Sequence, residues 1–455
     1  MRFATTVGFG GLLLAMLPLQ VMANVKEESP ATFSFVVDTI VVQGTRVTKP
    51  FIITREMTIQ AGDTVTDAEI EENRKRIENL GLFTRVEIIP QVGAFDRTPL
   101  LKRNILMVRV TEEWYILPLP FWHKEGDDFN KITYGLQYLH RNFRGRNERI
   151  AASVWTGAQT GYQVSYSNPW FAGKGTWGCA ADAYRTIRKV SNAEYRELDA
   201  ELNTSGGRAS VQRRFGLDTR FTAIVGFSRL RANYSDLMVS NQGFDDWVST
   251  GIVFLSDRRD LYEYPSKGWF HLVNIYWDLL LNRPNSSTEM TSISGSLEIR
   301  HYRQLPLSMI ACERGLIRLR NGLVPLYRRY LLGQDTDPSI RGWRGDAEEG
   351  EGLFLGSLEL RRPLFNIRYF SWESAPVFRR YFRNLKYGLS AGLFLDLGQV
   401  WFEPGAASWK RFQAGWGAGL HFHLPYVEVI RLDAGWSSES RFQDARIGIS
   451  SRVAF

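Results

Sequence analysis

Two histidines, His421-x-His423, stand two residues apart. On a strand that spacing puts both imidazoles on one face, the beginning of a metal site. No third ligand lies nearby in sequence, so polar wall residues are the plainer reading, and neither a metal nor a cofactor is expected. The only cysteines are Cys179 and Cys312. They are expected on opposite faces of strands far apart in order, which makes a disulfide improbable. Nucleophilic chemistry needs a base at a recognisable spacing, and none stands out. No phosphate loop or cysteine pair appears. The chain is therefore not expected to be an enzyme. Glu348, Glu349 and Glu351 read as solvated loop charge, and Arg344-Gly345-Asp346 as a coincidental adhesion tripeptide. Arg341 is more informative. Its guanidinium stays charged and its planar fork suits carboxylates, so if its loop folds inward it needs acidic partners.

Composition limits what elements can hold these residues. Aromatics total 60 of 455 residues (28 Phe, 18 Tyr, 14 Trp) and Gly 40, yet mean hydropathy is −0.23. A helical multispan protein needs runs of about 20 apolar residues and is excluded. Disorder lacks aromatics, and two cysteines make no disulfide scaffold. The net charge of +8 is scattered, so no nucleic-acid partner is expected.

Residues 1–23 read as a secretory signal. Arg2 precedes an apolar stretch from Val7 to Leu19, and Val21-Met22-Ala23 resembles a cleavage site. A membrane anchor is the competing reading, weakened by the short, Gly- and Pro-containing run. Residues 34–112 read as a small α+β unit in the order β-α-α-β-β. The expected elements are a strand from Phe35 to Val42, a helix from Thr48 to Thr58, a second helix, and strands from Leu82 to Val92 and Asn104 to Glu112. Thr66 and Glu69 form a capping box for the second helix, and Gly81 stops it.

Residues 114–455 alternate with period two. At the C-terminus Ile447, Ile449, Val453 and Phe455 share one face, and Arg446, Gly448, Ser450 and Arg452 the other. About sixteen such segments of about ten residues fit, from 114–122 through 351–361 and 387–397 to 444–455, as in a transmembrane barrel with polar positions inward. The expected fold is mainly β: a 16-stranded transmembrane barrel behind one α+β unit. The first segment contains Pro118 and Pro120, which cannot donate to a ladder. Either they weaken the seam between the first and last strands, or they lie in a linker and the barrel starts later. The connection from Arg362 to Lys386 is basic and aromatic and could meet lipid phosphates.

The helix–Gly-Leu-Phe–strand junction at Leu80 to Phe83, with its element order, resembles a POTRA domain. The run "YLLGQDTDPSIRGWRGD" (Tyr330 to Asp346), centred on Ile340-Arg341-Gly342-Trp343, resembles the sixth extracellular loop of the BamA/TamA superfamily. That superfamily, the bacterial surface antigen family, comprises outer-membrane assembly factors and exporters. "GLFLGSLELRRPL", "LSAGLFLDLGQVW", "GWGAGLHF", "IRLDAGWS" and "SDRRDLYEYPSKG" look like family strands and a family turn, so the resemblance spans most of the chain.

The resemblance implies an outer-membrane barrel with a periplasmic POTRA domain. Its partners would be the bilayer, unfolded outer-membrane or secreted clients, and periplasmic chaperones or accessory proteins. It implies that Arg341 docks on Glu359 and Asp396, both at inward parity, with Gly342 approaching the wall and Trp343 packing beside it. It also implies a lateral seam involving Pro118, Pro120, Ile447, Ile449, Val453 and Phe455. Three roles stay open: lateral-gate assembly of clients, two-partner-type export, and a passive porin-like channel.

Overall fold

The computed structural model describes residues 34–450, except 96–101, 125–131, 172–175, 191–198, 283–288, 334–335, 337, 344–346, 375–381, 404–406, 408–410, 426–428 and 439–443. The expected signal, the tripeptide at 344–346, Val453 and Phe455 fall outside the described residues.

The N-terminal unit contains β1 (Ser34–Val36), β2 (Thr39–Gln43), α1 (Pro50–Thr54), β3 (Thr64–Thr66), α2 (Asp67–Glu78), β4 (Phe83–Phe95) and β5 (Lys102–Glu112). The expected first strand is split. Val37 N–H donates to Asp63 O, and the Asp38 carboxylate accepts the Asn104 N–H, which bends the chain between β1 and β2. β1 then pairs with β3, a strand not anticipated from sequence, while β2 runs parallel to β5 in a sheet of order β2-β5-β4. The expected helix over 48–58 is only α1. Asn73 Oδ1 accepts the Thr58 N–H at 2.8 Å and holds that segment extended. α2 starts on its capping box: Thr66 N–H reaches Glu69 Oε2 at 2.8 Å, and Glu69 N–H reaches Thr66 Oγ1 at 3.4 Å. Its Ile70 and Ile77 pack on Leu82, Val86 and Val108.

From Ile116 the chain forms one antiparallel sheet of sixteen strands. They are β6 (Ile116–Lys124), β7 (Ile132–Phe143), β8 (Glu148–Gly157), β9 (Gln159–Asn168), β10 (Trp177–Lys189), β11 (Glu201–Phe215), β12 (Thr219–Ala232), β13 (Phe244–Asp257), β14 (Gly268–Leu280), β15 (Thr291–Leu305), β16 (Met309–Gly322), β19 (Gly352–Phe370), β20 (Leu385–Trp401), β21 (Gln413–His423), β22 (Ile430–Ser437) and β23 (Arg446–Ser450). Two short strands, β17 (Tyr330–Leu332) and β18 (Glu348–Gly350), pair inside the long connection after β16. Each strand bonds to its neighbour in sequence, the layout of an up-and-down barrel.

Period-two patterning explains the closure. On β20, Leu393, Leu395 and Leu397 point out and are exposed, while Phe394 and Asp396 point in and are buried. Among the described residues no helix is long and apolar enough to cross a membrane, which says nothing of strands.

β19 is the main departure from the expected strand lengths. It continues nine residues past the expected end at 361, paired with β20 as far as Phe370↔Leu385. Pro363 and Asn366 read as loop in sequence; the ladder absorbs them through irregularities at Pro363/Phe365 and Phe365/Arg368. Both cysteines are free: Cys312 is buried on the inner face and Cys179 is partly exposed.

The N-terminal unit seats on one rim of the barrel, called the near rim below. Glu56 forms a buried two-point ion pair with Arg214, at 2.7 and 2.6 Å. Arg76 pairs with Asp218, and Lys75 with Asp260, each at 3.0 Å.

Candidate functional site

The connection between β16 and β19 folds back inside the barrel. Its apolar side is set by Ile340 and Trp343, which pack with Leu332, Leu316, Leu353 and Leu355 in one buried cluster. Burial of these side chains anchors the loop, and it carries Arg341 with them.

Arg341 meets both candidate acids. Its Nε and Nη2 donate to Asp396 Oδ2 and Oδ1 at 2.7 and 2.8 Å, a two-point fork. Its backbone N–H also donates to Asp396 at 3.1 Å. Nη1 donates to Glu359 Oε2 at 2.5 Å. The guanidinium lies over the Phe394 ring, 3.8 Å from its centroid. Glu359 and Asp396 are 3% and 1% exposed, so without the cation two carboxylates would stand desolvated in the wall. Arg361, fully buried beside them, donates to the other oxygen of Glu359 at 2.6 Å.

Backbone geometry makes room for the arginine. Gly342 has φ +82°, and a Cβ there would sit 2.6 Å from Trp436 N. A Cβ on Gly415 would sit 2.0 Å from Arg341 O. The small residues of β21 and β22 are thus the floor on which the loop lies. Substituting Gly342→Ala should cost about 1–3 kcal/mol of loop seating through overpacking and the disfavoured φ. Limited proteolysis across residues 330–350 checks it; cleavage at the parental rate would show that the loop tolerates the methyl.

The loop also reaches the last described strand. Arg446, at the start of β23, donates from Nη1 to Trp343 O at 2.6 Å. That clamp was not anticipated from sequence, where Arg446 was only one polar position in an alternation.

A second set of contacts lies on the inner wall toward the near rim. The turn between β13 and β14 sends Tyr264 inward, where its hydroxyl and His421 Nδ1 are 2.8 Å apart. The Tyr264 ring meets His423 edge-on at 4.6 Å, and Arg361 lies over its outer face at 4.8 Å. The two histidines are therefore polar wall residues, and among the described residues no group of three or more metal-ligating side chains converges. The same turn is held from outside by the N-terminal unit. Asn79 donates to Asp260 O at 3.0 Å and accepts the Tyr262 N–H at 2.8 Å. Burial opposes ionisation of Asp260, but hydrogen bonds from Ser266, Lys75 and Lys267 outweigh it and hold the carboxyl below its usual range. Contacts thus run from α2 through the turn to Tyr264, Arg361, Glu359 and Arg341.

One pair went unrecognised in the sequence. Gly388-Leu389-Ser390-Ala391-Gly392 has the spacing of a nucleophile elbow, and Ser390 Oγ lies 3.1 Å from His423 Nε2. An elbow needs a sharp strand-to-helix turn with free N–H groups beside the serine. Ser390 instead sits inside β20, paired with Pro363 on one side and His421 on the other, and is buried. The pair is a wall hydrogen bond.

At the seam, Pro118 and Pro120 lie within β6, not in a linker. Pairing to β7 runs without a break from Ile116↔His140 to Lys124↔Ile132. The donors of that ladder must be the intervening Leu117, Leu119 and Phe121, so both proline nitrogens face away from β7, toward the free edge. At the other end of the sheet the described part of β23 is Arg446–Ser450, with Ile447 and Ile449 70% and 67% exposed. Among the described residues β6 and β23 make no ladder with each other.

Comparison with known proteins fits this geometry. Residues 142–450 match the Omp85 superfamily domain, and residues 35–113 match the POTRA model, described as a surface antigen variable number repeat. Among curated proteins none matches. The chain is similar in fold to BamA from Haemophilus ducreyi lacking POTRA domains 1–3, at TM-score 0.52 and 15% identity, over 91% of this chain and 83% of that one. It is similar to CdiB from Acinetobacter baumannii at TM-score 0.50 and 16% identity, over 92% and 72%. CdiB from Escherichia coli gives 0.50 and 12%, over 96% and 92%. With the domain model covering most of the barrel and a POTRA unit ahead of it, this chain belongs to the Omp85 superfamily of outer-membrane β-barrels with periplasmic POTRA domains.

Proposed function

We propose that this chain inserts or exports client proteins at the outer membrane, using the seam between β6 and β23 as the place where a client strand pairs. The observation that carries the reading is the donor-poor edge of β6. Two missing N–H groups on one edge leave fewer bonds to close the barrel there. Such an edge can exchange its partner for a client strand at low cost, because every bond broken is replaced by one made.

The POTRA unit contributes further edges. β2 and β4 both border its sheet and could receive extended client or chaperone segments before they reach the barrel. The reading needs no chemical step: client folding supplies the free energy. A passive channel fits less well, because the locked loop and the Tyr264 turn both reach into the lumen and hold to its wall.

Reconstitution in phospholipid vesicles tests the proposal. A reversible disulfide stapling β6 to β23 should stop insertion of an added unfolded barrel protein, and reductant should restore it. Equal insertion with the staple closed would remove the seam from the mechanism. If the staple leaves insertion untouched and depletion empties the secreted fraction instead, the chain exports through its lumen.

A further inference from the structure

The outer face of the barrel next to the seam carries a feature that client handling does not require. Along β19 the outward positions run Leu358, Leu360, Arg362. The first two are apolar and exposed, as lipid-facing positions should be, and the third is an exposed cation. Strand register carries Arg362 across to Ala391, Leu420, Leu432 and Ile449 in successive strands. All of these are apolar, so Arg362 is the one charge of its row. Among the described residues no ion pair or hydrogen bond engages it.

A groove of about 470 Å³ lies directly beside this arginine on the same face. Its floor is low because Ala391, Ala418 and Ala434 occupy outward positions on β20, β21 and β22. Leu360, Leu393, Leu420 and Ile447 stand around it as walls. Ile447 belongs to β23, so the groove reaches the strand that borders the seam.

Position in the membrane identifies the occupant. β19 descends from the extracellular loop toward the POTRA side and runs on past Arg362, but Arg362 lies one step beyond the Arg361↔Ile310 pair, level with the first residue of β16, and in the row of Leu432 near the start of β22, so it sits toward the periplasmic end of the neighbouring strands. An arginine on that face is costly unless it reaches the headgroup layer, where a phosphate is its natural partner. A groove on the lipid face beside it is filled by hydrocarbon. One molecule has both parts at that depth.

We propose that this face binds one phospholipid of the periplasmic leaflet, with its phosphate on Arg362 and an acyl chain lying over Ala391, Ala418 and Ala434. The lipid then packs against β22 and β23 from outside, opposite the loop that holds them from inside.

The test uses the full chain in mild detergent with added phosphatidylglycerol, read by native mass spectrometry. The expected result is a single retained phosphatidylglycerol per chain. Arg362→Gln should lower that occupancy about fivefold, the scale of one basic residue at a headgroup. Arg362→Lys should retain most of it, which separates lost charge from lost folding. Ala418→Leu, which fills the groove and leaves the arginine, should also lower it. Diacylglycerol should bind weakly, and inorganic phosphate should not displace the lipid. Unchanged retention in both Arg362→Gln and Ala418→Leu overturns the proposal. Equal retention of diacylglycerol removes the phosphate from it, and displacement by inorganic phosphate removes the acyl chain.

Discussion

Replacing Arg341 by Ala is expected to destabilise the barrel by about 3–5 kcal/mol, the usual cost of breaking a buried ion pair from one side. The size follows from what remains. Glu359 keeps Arg361 as a partner, at 2.6 Å, but loses the bond at 2.5 Å. Asp396 loses two charge-assisted bonds, at 2.7 and 2.8 Å, and among the described residues keeps only the backbone N–H of residue 341. Phe394 loses the cation over its ring. Asp396, almost fully buried, therefore carries most of the cost. Arg341→Lys retains the charge without the fork and should fall between the two. The urea midpoint of the heat-modifiable folded form in detergent measures the stability change. Protease cleavage within residues 330–350 measures loop release. If Arg341→Ala leaves both at parental values, the ion-pair cluster does not hold the loop. Because Trp343 O also accepts from Arg446, a released loop should loosen β23 as well.

How much of this could be read beforehand depended on whether the cause was local. Thr66 and Glu69 are three residues apart, and their capping box forms as spacing alone requires. Parity placed Glu359 and Asp396 on the inner face, because a strand has only two faces. The register that brings them together is Ser357↔Asp396 and Glu359↔Phe394 between neighbouring strands. The arginine itself needed the resemblance, since nothing in its immediate neighbours says that the loop turns inward. Pro363 shows the opposite failure. It reads as the end of a strand, yet β19 passes it, because β20 offers a partner that no local signal reveals. Tyr264 and His421 are far apart in sequence, and so are Ser390 and His423. The first contact follows from the barrel bringing the turn after β13 to β21, with the POTRA unit on that turn, and the second from the pairing of β20 with β21.

The POTRA unit is held most firmly by one pair, and breaking it should have the second large effect. Glu56→Ala would strand Arg214, a residue 8% exposed whose fork now receives two bonds, at 2.7 and 2.6 Å. Among the described residues Arg214 would keep only the Leu217 carbonyl, at 3.1 and 2.6 Å, and the face of Trp170. A desolvated cation with half its partners should weaken POTRA docking by about 3–5 kcal/mol. Arg76–Asp218, exposed at both ends, and Lys75–Asp260, whose cation is the more exposed partner, are single-point pairs and contribute less. Hydrogen exchange locates the consequence. Protection should fall in α2 and in residues 258–267, because Asn79 and Lys75 hold that turn from the POTRA side. The Tyr264–His421 bond lies at the inner end of the same turn, so exchange should also rise along β21 near His421. The double variant Glu56→Ala with Arg214→Ala should cost less than the sum of the singles, since neither charge is then left alone. Faster exchange in α2 with an unchanged turn would mean that the POTRA unit moves independently of the lumen. Unchanged exchange in both would mean that other contacts, not this pair, seat it.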